Sequence, residues 1–552
     1  MTSVRWLVLA TTLLCPVLAR AEEFGYIARG APSEVQATVT LGPASQIGPI
    51  TFELLALARH GKGLGTGDAP LPKALAEPPA RLVSGETAIL PEERVASRLV
   101  RARFRIGPEL KRLKVLRLRA RYLDGLVCAI NGKEVVRRHI EPAAGATAFA
   151  QRAHGPEWET FGIPIRGGLL EEGENVLALE VRPGAFRRFP ELYFELIGAD
   201  KGRIVRGPMV SRVAQDGASI VFETDLATTA EVHFRTSAGQ AGSVASRERG
   251  TRHVVAISGV PADTQVTYQV VTPDDRSPEW SFHTAPPKGD VVRFVVYGDV
   301  RSGHDVHEQV VESILTDAPD FVVGTGDMVY RGTDDADWQR FFDIAGDLLG
   351  RIPVYPAAGN HDVGAADGDR MLEDMFLLWP GPKGRPRGAA WYSFDVADVH
   401  FVVLDSNRYD DPNQLAWLEE DLRRVAPLAR AIFAITHHGP FSRGPHGGHP
   451  LAQGAYVPML EKYRTRVLFA GHDHLYQRGR VGDLTYVVSG GGGAPLYPIQ
   501  CGGRGRARCE QDGADVAVSE HHYVVVEVFR DSVRLCPRRP DGTPLEPCVT
   551  LR

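Results

Sequence analysis

The chain has 552 residues, with 63 Lys plus Arg against 68 Asp plus Glu and a formal net charge of −5. That length exceeds what one hydrophobic core organises, so several domains are expected, and the near balance of charge removes any electrostatic case for a nucleic-acid scaffold. Hydrophobic residues at 43% and charged residues at 24% exclude wholesale disorder and a multi-span membrane protein, while 58 Gly and 39 Pro predict many turns between short strands.

Residues 1–21 read as a signal peptide. Arg5 precedes an apolar run from Trp6 to Ala19, and Ala19-Arg20-Ala21 offers a cleavage site before two glutamates. The run is too short to span a bilayer and no later stretch is long enough, so the mature protein is expected to be exported, periplasmic or extracellular, with no membrane span. Leu14 occupies the place before Cys15 where lipidation wants a small residue. Cys128 falls in the strand pattern Leu126–Ile130 and reads as a buried thiol. Cys501, Cys509, Cys536 and Cys548 predict two disulfides in an oxidising compartment. Proximity pairs Cys501 with Cys509 and Cys536 with Cys548; other connectivities stay open, and a zinc cluster is the weaker alternative.

From residue 22 to 202 the apolar pattern has period two. Leu116, Leu118, Ala120 and Tyr122 share one face, Asn131-Gly132 predicts a type I′ hairpin turn, and a further strand runs from Asn175 to Val181. Residues 203–288 carry short strands such as Ser219–Glu223, Ala230–Arg235 and His253–Ser258, the rhythm of a small β-sandwich. Across 289–535, apolar strands alternate with amphipathic helices, one at Val306–Leu315 and one opened by Asp411-Pro412. Residues 536–552 read as a disulfide-linked tail. The expected chain is multidomain: two N-terminal β-sandwiches followed by an α/β domain.

In the α/β region, predicted strands end in residues that bind metals. Asp299 follows Val291–Tyr297, Asp327 follows Phe321–Val323, Asn360 and His361 follow Pro353–Tyr355, His437 and His438 follow Ala431–Ile435, and His472 and His474 follow Val467–Phe469. Sites in open α/β sheets form at the carboxyl ends of strands, so one rim gathers them all. Imidazole and carboxylate donors suit zinc, iron or manganese, and two such ions can hold a phosphate and activate water. Each element alone is an ordinary turn; in this order, each after a strand, the bland reading fails.

These motifs, Gly298-Asp299, Gly326-Asp327-Met328-Val329-Tyr330, Gly359-Asn360-His361-Asp362, Thr436-His437-His438-Gly439-Pro440 and Gly471-His472-Asp473-His474, resemble the calcineurin-like metallophosphoesterases, and within them the purple acid phosphatases. The resemblance implies a four-layer α/β/β/α sandwich preceded by a fibronectin-III-like domain over 203–288. Residues 22–202 resemble the jelly-roll, galactose-binding-like modules of secreted hydrolases, in which carbohydrate or cell-wall contact and a ligand-free spacer are equal alternatives.

By the same resemblance one metal takes Asp299, Asp327, Tyr330 and His474, and the other takes Asp327, Asn360, His437 and His472. Tyr330 implies iron(III) beside a divalent iron, zinc or manganese; an ordinary half-buried tyrosine is the alternative. Asp299-Val300-Arg301 departs from the Asp-x-His of many relatives. His437 is favoured over His438 as ligand. His446 is the expected proton donor to the leaving group with His449 as the alternative, while His361 orients phosphate or water, and Arg301, His438 and His449 are the expected substrate contacts. The Ser489–Gly493 run either brings backbone close to the site or is a flexible loop. The implied function is a phosphate-ester hydrolase of the purple acid phosphatase kind, cleaving monoesters by attack of metal-bound hydroxide. A phosphodiesterase acting on cyclic nucleotides or phospholipid head groups, and an inactive binding protein, are the alternatives.

Overall fold

The computed structural model describes residues 36–39, 50–59, 98–106, 113–122, 124–140, 150, 158–182, 192–363, 372, 375–376, 390–500 and 512–552. The signal peptide, Cys15 and the Cys501–Cys509 pair lie outside them. The chain divides into two compact units, Met1–Lys201 and Gly202–Arg552. Among the described residues no helix is long and apolar enough to cross a membrane.

The first unit is sheet-rich. Strands Val115–Tyr122, Trp158–Pro164 and Leu192–Ala199 form one antiparallel sheet, and Gly125–Ile130, Lys133–Arg138 and Gly173–Arg182 belong to a six-stranded one. Leu116, Leu118, Ala120 and Tyr122 are buried with Leu126, Cys128 and Leu179 in a single cluster. Asn131 and Gly132 both have positive φ, 49° and 75°, as a type I′ turn requires. Burial pushes the Cys128 thiol well above its ordinary range, so it packs as a small apolar group.

In the second unit, Ile204–Ala214, Gly217–Thr228 and Gly250–Ser258 form a three-stranded sheet. Ala241–Ala245, Glu231–Thr236, Gln265–Val271 and Trp280–His283 form a four-stranded one. Defined bonds tie this region to the helix Asp335–Leu349 and its C-terminal end. The Tyr268 hydroxyl donates to the Gly350 carbonyl at 2.8 Å, and Arg206 pairs with Glu223 at 2.7 Å and Asp335 at 3.1 Å.

Beyond it lie two larger sheets. Val292–Tyr297, Phe321–Gly324 and Val354–Pro356 run parallel in a six-stranded sheet. Val399–Val403, Ala431–Ile435, Val467–Ala470 and Leu484–Ser489 run parallel in a seven-stranded sheet. Their apolar faces meet through aromatic rings: Phe294 is 5.1 Å from Phe401 and 5.2 Å from Phe433, both edge to face. The predicted helices appear as His304–Asp317 and Pro412–Val425, the latter capped by the Asp411 carboxylate. The helix Asp335–Leu349 is capped in the same way by Asp334. Cys536 is bonded to Cys548, and Val549–Leu551 returns to pair with Val533–Arg538, so residues 536–552 add an edge strand to the six-stranded sheet.

Candidate metal centre

The carboxyl ends of parallel strands from both sheets meet at one place. Asp299 and Asp327 leave their strands with left-handed backbones, φ of 56° and 54°, and both carboxylates are buried. Oδ1 of Asp327 accepts the His361 N–H at 2.9 Å and lies 3.3 Å from Nε2 of His437. The Asp299 carboxylate accepts the His472 N–H and lies 3.5 Å from Nε2 of His474. Potential ligand atoms of Asp299, Asp327 and His437, and of His437, His438 and His472, fall within 4.8 Å of one another. Asn360 joins through Oδ1, 3.0 Å from His437 Nε2.

Tautomers follow from the backbone. A carbonyl only accepts, so Nδ1–H of His437 donates to Thr325 O at 2.8 Å and Nδ1–H of His474 donates to Pro495 O at 2.6 Å. Both rings thereby keep Nε2 as a lone-pair donor, the form a metal needs. Nε2 of His474 is buried with no hydrogen-bond partner. That orphaned nitrogen beside a buried carboxylate fits a cation, and the N/O donor set suits zinc, iron or manganese. His438 differs, with Nδ1 2.8 Å from the Ser406 hydroxyl.

Unmetallated, these groups are driven toward neutrality. Burial, then the Asp327 charge, raises Asp299 well above the ordinary carboxylate range, and burial raises Asp327. Burial and the neighbouring imidazoles hold His437 and His472 well below the usual histidine range, and burial brings His438 down to about 4.

Tyr330 lies against the site without being enclosed. It is 46% exposed, its ring 5.4 Å from the His361 ring, with the guanidinium groups of Arg301 and Arg331 at 5.5 and 5.3 Å. Arg301 Nε is 3.3 Å from Oδ2 of Asp327. His361 Nδ1–H donates to the Tyr330 carbonyl at 2.7 Å. His446 packs 4.2 Å from the His472 ring, whereas His449 stands farther back, against Tyr409 and 6.3 Å from His438.

Three residues escape a reading of the sequence. Asp473, between two candidate ligands, accepts Nδ1–H of His446 at 2.8 Å and the Ser442 hydroxyl. Asp362, buried, accepts N–H bonds from Asp327, Met328 and Gly359 at 2.8, 2.8 and 2.9 Å, and burial with the nearby Asp327 charge pushes it up to about 7. Tyr497 stacks on His474 at 4.0 Å. Asp362 and Asp473 stand inside the quoted motifs, and an acid beside each ligand is the available signal; nothing local marks Tyr497.

The glycine run is buried and packed tight. A Cβ on Gly490 would lie 2.3 Å from the Asp473 carbonyl, and one on Gly492 would lie 2.4 Å from the Gly298 carbonyl. Gly492 N–H donates to Gly298 O at 2.9 Å and Ala494 N–H to Asp299 O at 2.7 Å, so this strand exit buttresses the Asp299 turn.

Residues 292–476 match the family model of the calcineurin-like phosphoesterases, and the chain therefore carries a calcineurin-like metallophosphoesterase domain. Its homologues include purple acid phosphatases: it is 27% identical to purple acid phosphatase 21 of Arabidopsis thaliana over 238 residues, 42% of this chain and 53% of that protein. It is also 25% identical to human serine/threonine-protein phosphatase CPPED1 over 293 residues, 47% of this chain and 86% of that protein. The chain spans about half the length of the plant relatives named purple acid phosphatase 21 and 22, at 53% and 54%. The yellow lupin purple acid phosphatase PPD1 shares the fold, with a TM-score of 0.54 at 14% identity, covering 82% of this chain and 93% of that one.

Proposed function

We propose that this chain is an exported dinuclear-metal phosphatase that hydrolyses phosphate monoesters in the manner of the purple acid phosphatases. The meeting of Asp299, Asp327, His437 and His472 with the unpartnered Nε2 of His474 carries the reading. Asp299, Asp327, Tyr330 and His474 would hold iron(III), and Asp327, Asn360, His437 and His472 a divalent iron, zinc or manganese. Such a pair supplies Lewis acidity to phosphate oxygens and lowers the pKa of water.

The chain's own groups do the rest. Arg301 offers its planar fork to the phosphate, with His361, His438 and His449 as further contacts. His446, with Nδ1–H anchored on Asp473, presents its other nitrogen to carry the proton given to the leaving oxygen. No Ser or Cys nucleophile is required. The two larger sheets with their helices support a four-layer α/β/β/α domain over 289–535. Residues 203–288 fit a fibronectin-III-like β-sandwich and 22–202 a jelly-roll module with carbohydrate or cell-wall contact.

Turnover of an aryl phosphate monoester against the bis-(aryl) diester tests the reading. Monoester preference is expected; a large diester preference assigns the site to phosphodiester cleavage instead. Metal analysis with the visible spectrum tests the ligand set. Iron and a broad absorption band lost in Tyr330→Phe are expected, and two zinc or manganese ions without the band make Tyr330 structural.

A further inference from the structure

Residues 495–500 bridge the loops that carry His474 and His446. At one end they grip His474: Pro495 O accepts its Nδ1–H at 2.6 Å, Tyr497 N–H donates to its carbonyl at 2.9 Å, and the Tyr497 ring stacks on its imidazole at 4.0 Å with 11° between the planes. At the other end Gln500 N–H donates to the carbonyl of Arg443, on the His446 loop, at 2.6 Å. Arg443 is itself fixed, its N–H donating to Gln477 Oε1 at 2.7 Å and its guanidinium to the two Asp512 oxygens at 2.8 and 2.9 Å. Held at both ends, the segment gives the Tyr497 ring a set position.

That position is beside the expected proton donor. The Tyr497 ring is half-buried and lies 5.4 Å from the His446 ring, inclined at 60°. Its surroundings along the segment are apolar, with Pro495, Pro498 and Ile499 all exposed. A proton can pass from His446 only to an oxygen within hydrogen-bond reach of its ring, so the carbon skeleton of the departing alcohol must lie against the neighbours of that ring. Among the described residues those aromatic neighbours are His472, at 4.2 Å, and Tyr497. His472 is a candidate ligand and faces the cation, which leaves Tyr497 for the organic group.

We infer that Tyr497 is a specificity-determining residue: its ring is the wall against which the leaving group packs, and the site favours monoesters whose alcohol carries an aromatic ring over those of small alcohols. The inference rests on the phosphatase reading above, with His446 as proton donor. Ring-on-ring contact together with the apolar surface it removes from water is worth roughly tenfold in kcat/KM.

Steady-state kinetics of the full-length, metal-loaded protein on phenethyl phosphate and ethyl phosphate tests this, because the two alcohols are similarly poor leaving groups and differ in the ring. Wild type is expected to favour the phenethyl ester by at least about tenfold in kcat/KM, mostly through KM. Tyr497→Phe should keep that ratio, and Tyr497→Ala should bring it to within about twofold of one. An equal loss on both esters in Tyr497→Ala would mean that the ring only positions His474, and overturns the inference. Non-hydrolysable phenethylphosphonate should also inhibit wild type at least about tenfold more tightly than ethylphosphonate, a comparison that requires no variant to fold. Turnover of both esters by wild type with no preference overturns the inference and leaves the phosphatase reading standing. Turnover of neither ester by metal-loaded protein overturns that reading and the inference with it.

Discussion

Oδ1 of Asp473 receives Nδ1–H of His446 at 2.8 Å, so a residue placed between His472 and His474 sets the orientation of a ring that arrives from a different loop. The carboxylate is itself fixed by the Ser442 hydroxyl. The His446 ring and the two candidate ligand histidines are thereby held to one short stretch of backbone.

Asp473→Asn is expected to lower kcat about 10–100-fold on alkyl phosphates. An aryl phosphate with a good leaving group should lose far less, since its departing oxygen needs little protonation. Steady-state kinetics on the two substrates, with metal content measured alongside, checks this. An equal loss on both would assign Asp473 a purely structural role.

Asp362 collects backbone N–H groups from the loops that carry Asp327 and Asn360. Asp362→Asn replaces one accepting oxygen by a donor facing N–H groups, and is expected to cost about 2–3 kcal/mol. Thermal melting and metal retained after dialysis should both fall.

Gly490→Ala is expected to destabilise by about 1–3 kcal/mol and to reduce activity by more than the folded fraction explains, because the new methyl meets the Asp473 carbonyl at 2.3 Å. Activity per folded molecule, against Gly346→Ala, where a Cβ meets nothing within 4 Å, checks it.

His400 supplies a pH dependence remote from the metals. Its Nδ1 is 2.7 Å from Asp395 and its Nε2 2.8 Å from Asp421. Burial works to lower its pKa, but the two carboxylates outweigh it and the pKa is raised. The imidazolium's contribution is therefore complete below the unfolded value of about 6.5 and is lost as pH rises through the folded one. Asp421, lowered despite burial by its bonds to His400 and Arg424, contributes above the ordinary aspartate range and is lost in acid. Melting temperature should decline from near neutral toward alkaline pH, and His400→Gln should flatten that decline and cost about 2–3 kcal/mol.

The strands and the loops that gather at the candidate metal centre are legible in the sequence because apolar runs of period two or of full burial end in His, Asp and Asn. Ala431–Ile435 and Val467–Ala470 are continuous apolar segments, and each runs directly into residues of ligand type. The supports are harder to read. Thr325 and Pro495 act through carbonyls, which every residue possesses, so sequence carries no mark of them. Asp335–Leu349 is accessible: Phe341, Phe342, Ala345, Leu348 and Leu349 make an apolar stripe behind an Asp334 cap. The Cys536–Cys548 bond is the pairing that proximity favours among the connectivities the sequence leaves open.

Asp299, Asp327 and Asn360 hang from one sheet, and His437 and His472 from the other. Neither set is a complete cage, so a cation bound by both would work as a rivet across the seam between the sheets. Its binding free energy would be added to the docking of the two halves, where Phe294 meets Phe401 and Phe433. Chelation would consequently loosen the seam before it melted either sheet.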